Sequence, residues 1–201
     1  MLTNVIGGVE AGTGNYQGVH ALLAAESVLG VTPKILIAPG FTSELTVVTE
    51  LLGIADSLRA VIIADGPSTN DASAVTYRTN FSSSRVYLVD PAARVFDTTT
   101  SSEVVQPMSS RVAGLIARSD NDRGFWWSPS NQEIYGIVGT ERAVDFALGD
   151  ASARANHLNE NEIATVIQKT GFRLWGNRTC SSDAKWAFLS VRRTACLLYT
   201  S

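Results

Sequence analysis

Four groups of residues are of types that do chemistry elsewhere. Gly12-Thr13-Gly14-Asn15-Tyr16-Gln17-Gly18 places three glycines ahead of a helical stretch. Such a loop offers free backbone N–H groups and a positive helix end to a phosphate. Its spacing is GxGxxxG, Asn4-Val5-Ile6 before it is a poor strand, and no acidic residue closes a βαβ unit, so a flexible loop is the better reading. Asp65 and Asp90 each end an apolar run. Ligand sites of open α/β sheets lie at the carboxyl ends of strands, where two carboxylates suit a divalent metal. Asp-Gly and Asp-Pro are also ordinary turn starters, and that plainer reading is preferred. The histidines, His20 and His157, fall far apart, and no Ser or Cys beside either has motif context, so no triad is indicated. Cys180 and Cys196 make no CxxC. They suggest neither a disulfide framework nor a zinc site, and Cys180 without a local base reads as a structural thiol in a reducing compartment.

The surroundings of these residues exclude several functions. Lys and Arg total 16 against 19 Asp and Glu, a net charge of −3, so no basic surplus exists to neutralise nucleic acid. With 45% hydrophobic and 17% charged residues, the 201-residue chain is globular rather than disordered. A bilayer span needs about 20 apolar residues, far more than any run here, and Met1-Leu2-Thr3-Asn4 lacks the basic start of a signal peptide. All the tryptophans lie late: Trp126, Trp127, Trp175 and Trp186, beside Phe125, Phe172 and Phe188. They suit a local core or a subunit contact.

The elements that position these residues are read from periodicity. Ile35-Leu36-Ile37-Ala38, Val61-Ile62-Ile63-Ala64 and Val86-Tyr87-Leu88-Val89 are apolar at nearly every position, as in strands covered on both faces. Between the first two, Leu45, Val48, Leu52, Ala55 and Leu58 form a helical stripe that Thr42 or Ser43 can cap. Residues 19–29 read as a helix stopped by Gly30, and 66–85 as a less regular crossover. The alternation predicts an α/β fold: a three-layer body with a mainly parallel sheet, followed by a smaller α+β portion beyond residue 130. Asp90-Pro91 is expected to open a hairpin into Arg94-Val95-Phe96, and 97–102 to be a surface loop. Pro107 starts a helix reaching about Arg118. Further strands are expected over 134–138, 143–148, 163–168 and 186–191.

Longer strings carry a resemblance. Pro107-Met108-Ser109-Ser110-Arg111-Val112-Ala113-Gly114-Leu115-Ile116-Ala117-Arg118-Ser119-Asp120 resembles a stretch typical of contractile phage tail sheath proteins. So do Gly124-Phe125-Trp126-Trp127-Ser128-Pro129-Ser130-Asn131, Leu158-Asn159-Glu160-Asn161-Glu162-Ile163, and Gly171-Phe172-Arg173-Leu174-Trp175-Gly176-Asn177-Arg178-Thr179 with Val191-Arg192-Arg193-Thr194 after it. The opening, Val5-Ile6-Gly7-Gly8-Val9 through Pro33-Lys34-Ile35-Leu36-Ile37-Ala38-Pro39-Gly40, looks similar as well. The matches run in order over roughly residues 4 to 194.

The resemblance implies a mechanical role rather than catalysis, with no cofactor and no metal. Its members stack as rings around a tail tube and contract to drive the tube through the host envelope. The implied partners are other sheath subunits, the tail tube protein, the baseplate and the tail terminator, with neither nucleic acid nor membrane. The implied location is the virion tail, after assembly in the host cytoplasm. Residues 1–130 would be the sheath body, 131–194 an incomplete C-terminal portion, and 195–201 a tail outside the family pattern. The resemblance covers neither an upstream region nor the arm-bearing end of the family, so the chain is expected to be a fragment that does not polymerise alone. The resemblance and the residue chemistry together nominate Trp126, Trp127, Arg173, Trp175, Asn177, Arg178 and Arg192 for the assembly interface, Arg for bidentate contacts and Trp for buried area. The alternative is a nucleotide- or metal-dependent α/β enzyme using the glycine stretch or the Asp65/Asp90 strand ends.

Overall fold

A computed structural model describes residues 1–198; the last residues of the expected non-family tail, 199–201, lie outside the described residues. In chain order the elements are α1 (Leu2–Ile6), β1 (Gly8–Val9), β2 (Tyr16–Gln17), a 3-10 helix (Gly18–Ala24) running into α2 (Ala25–Leu29), β3 (Ile35–Leu36), α3 (Leu45–Leu58), β4 (Val61–Asp65) and α4 (Asp71–Arg78). There follow β5 (Val86–Val89), β6 (Ala93–Asp97), β7 (Ser102–Gln106), α5 (Met108–Arg123), β8 (Gly139–Thr140), α6 (Arg154–Glu160), β9 (Ile163–Gln168), β10 (Phe172–Trp175), a short 3-10 turn (Ala184–Trp186) and α7 (Leu189–Leu198).

Five strands form one sheet in the order β10-β9-β5-β4-β3. β3, β4, β5 and β9 run parallel, and β10 returns antiparallel to β9. The continuous apolar runs place β4 and β5 at its centre, where every residue is buried. Successive side chains of a strand point to opposite faces. Ile62 and Ala64 therefore join one apolar cluster with Val48 and Leu51 of α3, while Val61 and Ile63 join another with Val112 and Ile116 of α5. Residues on both sides of residue 130 share this sheet, because β9 pairs with β5.

Several elements differ from the periodic reading. The buried stripe of α3 is Val47, Val48, Leu51, Ile54, Ala55 and Leu58, turned so that Leu45 lies outside it. Neither Thr42 nor Ser43 caps that helix: its N-cap is Glu44 without a side-chain bond, and Thr42 is drawn to Asp65 instead. Residues 18–24 are 3-10 rather than α-helical. The hairpin forms between β6 and β7, across the polar turn that follows Asp97, not across Asp90-Pro91. Residues 134–138 and 143–148 do not pair with each other; the pairing there is β8 onto β6. Residues 186–191 are not a strand, because Leu189, Arg193 and Cys196 recur at helical spacing and bury one side of α7.

Candidate assembly interface

Both carboxylates at the strand ends are engaged by the protein itself. Asp65 is buried at the end of β4, where one oxygen accepts from Ser109 N at 2.7 Å and the other from Ser109 Oγ at 2.6 Å and Thr42 Oγ1 at 3.1 Å. Ser109 is the second residue of α5, and Pro107 at the helix N-cap supplies no side-chain acceptor. Asp65 thus caps α5 from a neighbouring strand and places a negative charge at its positive end. Asp90 is wholly buried and accepts from Ser68 N at 2.7 Å and from Arg142 at 2.7 Å. Arg142 also donates to Asp71 at 2.6 Å, and Arg154 donates to the other Asp71 oxygen at 2.7 Å. Burial pushes the Asp90 carboxyl above its ordinary range, against the pull of Arg142. The hydrogen bond from Arg154 is the largest influence holding Asp71 below that range.

This four-residue clasp ties the loop between β8 and α6 to the carboxyl end of the sheet. No motif announces the clasp, since Asp71, Arg142 and Arg154 lie in separate segments of the chain. Among the described residues no group of three or more His, Cys, Asp or Glu is arranged to hold a metal. His20 lies 3.3 Å from Glu50 on the far helical layer. Cys180 is buried, which pushes its thiol up to about 12 and keeps it protonated.

The glycine stretch is a hairpin, not a strand-to-helix loop: residues 10–15 connect β1 to β2, and a 3-10 helix follows. Gly18 adopts φ 60°, and a Cβ there would meet Val5 O at 2.4 Å. The glycine is therefore accounted for by close backbone approach. Gly14 and Gly18 line an apolar groove of about 520 Å³ with Leu22, Val28 and Leu29.

The nominated interface residues divide into two groups. Trp126 and Trp127 follow α5 and are 56% and 48% exposed, with Arg123 5.6 Å over the Trp127 ring. Arg178 lies over Phe188 at 5.8 Å and Arg192 over Trp186 at 5.0 Å, so each guanidinium is held against a ring. The other three work within the subunit. Arg173 donates to the Lys169 and Asn131 carbonyls. Trp175 stacks edge-on to Phe146 at 4.6 Å and donates to Asn156 Oδ1. Asn177 donates to Ser190 Oγ at 3.0 Å, joining the end of β10 to α7. Trp175→Ala is accordingly expected to lower unfolding free energy by about 2 kcal/mol, and Arg178→Ala by less than about 0.5 kcal/mol. Urea unfolding of the chain distinguishes them, and equal losses would refute this division.

A family model, that of the phage tail sheath protein central domain, matches residues 14–180, which include all five strands of the main sheet. The chain belongs to the phage tail sheath family. This sheath chain is 49% identical over 190 residues to a prophage major tail sheath protein of Pseudomonas aeruginosa (strain UCBPP-PA14), covering 94% of itself and 49% of that relative. The tail sheath protein of Escherichia phage P2 is 36% identical, over 96% of this chain and 49% of its own length. The sheath chain thus spans about half the length of these curated relatives. Among solved structures, the helical sheath of the anti-feeding prophage in the contracted state aligns with a TM-score of 0.67 at 24% identity, over 89% of this chain and 48% of that one. That likeness shows a common mixed α/β fold. The family is structural, and among the described residues no helix is long and apolar enough to cross a membrane.

Proposed function

We infer that this chain is the body of a contractile tail sheath subunit, which packs with copies of itself into a sleeve around a tail tube and shortens to drive the tube through the host envelope. The observation that carries this reading is the family match over residues 14–180. Its partners are neighbouring sheath subunits, the tube protein, the baseplate and the tail terminator, and its place is the virion tail after assembly in the host cytoplasm. The role needs no cofactor, nucleic acid or membrane. It requires one subunit to make two contact sets of different free energy separated by a kinetic barrier. The body is three-layered, with helices over both faces of a mainly parallel sheet. The division at residue 130 marks a change of role, body before it and arm-side portion over 131–194, while the sheet itself runs across it. Residues 195–201 stand outside the sheath pattern. The subunit is not an enzyme, a reading supported by the engagement of Asp65 and Asp90 within the fold. Trp126, Trp127, Arg178 and Arg192 form the contact surface, and Arg173, Trp175 and Asn177 support it from beneath.

Electron microscopy tests the reading. The full-length protein that carries this sequence, produced with its tail tube protein, is expected to form regular sleeves around tubes. Bare tubes beside monomeric sheath protein would overturn it.

A further inference from the structure

A concavity of about 390 Å³ opens between the end of α3 and α7. Its charged and aromatic lining is Asp56 and Arg59 at the end of α3, Arg85 just before β5, Trp186 and Arg192. Three guanidiniums thus face one carboxylate. That carboxylate is already engaged, since Arg85 Nε donates to Asp56 Oδ1. The carbonyls at and just after the end of α3 are matched by cations as well: Lys34 Nζ donates to Leu58 O at 2.9 Å and Arg85 Nη1 to Ala60 O at 3.0 Å. Those contacts offset the negative helix end that would otherwise repel an anion here. Arg192 is different. Its guanidinium lies 5.0 Å over the Trp186 ring, and its Nε is buried without a hydrogen-bond partner. Among the described residues no Asp or Glu pairs with it. Arg78 and Arg111 also have a buried Nε without an acceptor, but each donates from another nitrogen, Arg78 to Phe81 O and Glu162 and Arg111 to Gln106. A buried donor left unpaired is destabilising, and native folds pair nearly all of them.

We propose that this concavity binds a phosphate group, gripped by the Arg192 guanidinium in the positive field of Arg59 and Arg85. The edge of a guanidinium presents parallel N–H groups, the geometry that two phosphate oxygens accept together. The Trp186 ring holds the Arg192 plane in place, which limits the ordering that this side chain undergoes on binding. Three positive charges against one negative favour a doubly charged phosphate over a singly charged carboxylate. Ligand pockets begin at about 300 Å³, so the volume leaves room for a small group esterified to the phosphate. Free phosphate and a small phosphate monoester share this chemistry. The proposal goes beyond the sheath reading: every residue of the site belongs to one chain, and no step of sleeve assembly is invoked. Arg192 serves in both readings, and a bound phosphate lowers the charge that the contact surface presents.

Titration calorimetry of the chain tests the proposal, with inorganic phosphate, phenyl phosphate and acetate as probes at constant ionic strength, so that screening is the same throughout. Inorganic phosphate is expected to bind with a Kd on the order of 1 mM or tighter, and acetate at least about tenfold more weakly. Phenyl phosphate tighter than inorganic phosphate assigns the site to a monoester, and equal or weaker binding assigns it to the free ion; either supports the phosphate site. No phosphate binding, or acetate binding as tight as phosphate, overturns it. Arg192→Gln is expected to weaken phosphate binding at least about tenfold, and Arg192→Lys, which keeps the charge but not the fork, at least about threefold. Arg123→Gln, which removes a ring-stacked arginine outside the concavity, is expected to bind as the parent does. Equal losses in Arg192→Gln and Arg123→Gln would reveal mere charge attraction and overturn the site, as would a lysine variant that binds like the parent. A second measurement needs no substitution: on adding phosphate to the parent, the Arg192 Nε–H resonance is expected to move in step with the calorimetric saturation. An unmoved resonance places the anion elsewhere and overturns the assignment even if the Arg192 variants fail to fold.

Discussion

Arg142→Ala is expected to lower the unfolding free energy by about 3–5 kcal/mol, because it leaves Asp90 buried with its charge uncompensated. The Asp90 side chain has no solvent exposure and that of Arg142 has 12%, so water cannot take the place of the lost guanidinium without opening the site. Asp71 keeps Arg154 and suffers less. Urea unfolding near neutral pH measures the loss. Asp90→Asn removes the charge that Arg142 compensates, so the double variant is expected to cost clearly less than the two single losses added together. Strict additivity would refute the coupling.

The pH dependence of that deficit carries a definite sign. The Asp90 carboxyl sits above its ordinary range mainly through burial, with Arg142 pulling it down. A carboxyl raised in the folded state holds its proton better there than in the unfolded chain. Its contribution therefore weakens as pH rises from the ordinary carboxylate range through the raised value. Asp71, held low chiefly by Arg154, acts oppositely: its stabilisation is present above the ordinary carboxylate range and fades as pH falls through its lowered value. In the parent the two groups partly offset each other across the acid range. Arg142→Ala removes the main downward influence on Asp90, so the deficit is expected to shrink on going from neutral pH to about pH 4, as Asp90 takes up its proton. An equal deficit at both pH values would rule out an ionised Asp90 as its source.

The parts of this fold that sequence makes legible are those governed by short-range pattern. β4 and β5 announce themselves because strands buried on both faces are apolar throughout. α5 is legible from Pro107 and the spacing of Met108, Val112, Leu115 and Ile116. Pairing across long distances is not. Ile163–Gln168 reads as a strand, yet nothing in its residues says that it joins the central sheet beside β5 rather than a separate portion. α7 misleads for a different reason: Trp186 and Val191 favour strands, and the burial of Leu189 and Arg193 against α5 overrides that local preference. The interface candidates show the same limit. Exposure of Trp126 and engagement of Trp175 are set by neighbours such as Phe125 and Phe146, the latter 29 positions before Trp175 in the chain. The clasp of Asp71, Asp90, Arg142 and Arg154 is the extreme case, with its members spread over four segments.

Asp65→Ala is expected to cost about 3 kcal/mol and to lower the melting temperature by roughly 6–12 °C, taking about 2–4 °C per kcal/mol for a domain of this size. Three donors converge on this carboxylate, and two of them, Ser109 N and Ser109 Oγ, belong to the first turn of α5. Removing it leaves buried hydroxyl and amide groups unpaired and strips the negative charge from the helix N-terminus. Thr42 loses its acceptor too, but its Oγ1 still accepts from the backbone N–H of residue 65 at 2.8 Å, so the loop before α3 stays tethered. Asp65→Asn keeps the shape and one acceptor oxygen while presenting an amide to donors that expect a carboxylate, and is expected to recover only about half the loss. The same pair of variants separates a structural carboxylate from a catalytic one. A structural Asp65 shifts unfolding in the order alanine, asparagine, parent; a carboxylate serving chemistry at a strand end would leave unfolding within about 2 °C of the parent and act on turnover instead. Calorimetry of the three proteins decides, and an unshifted alanine variant would remove Asp65 from the framework that holds α5 against β4.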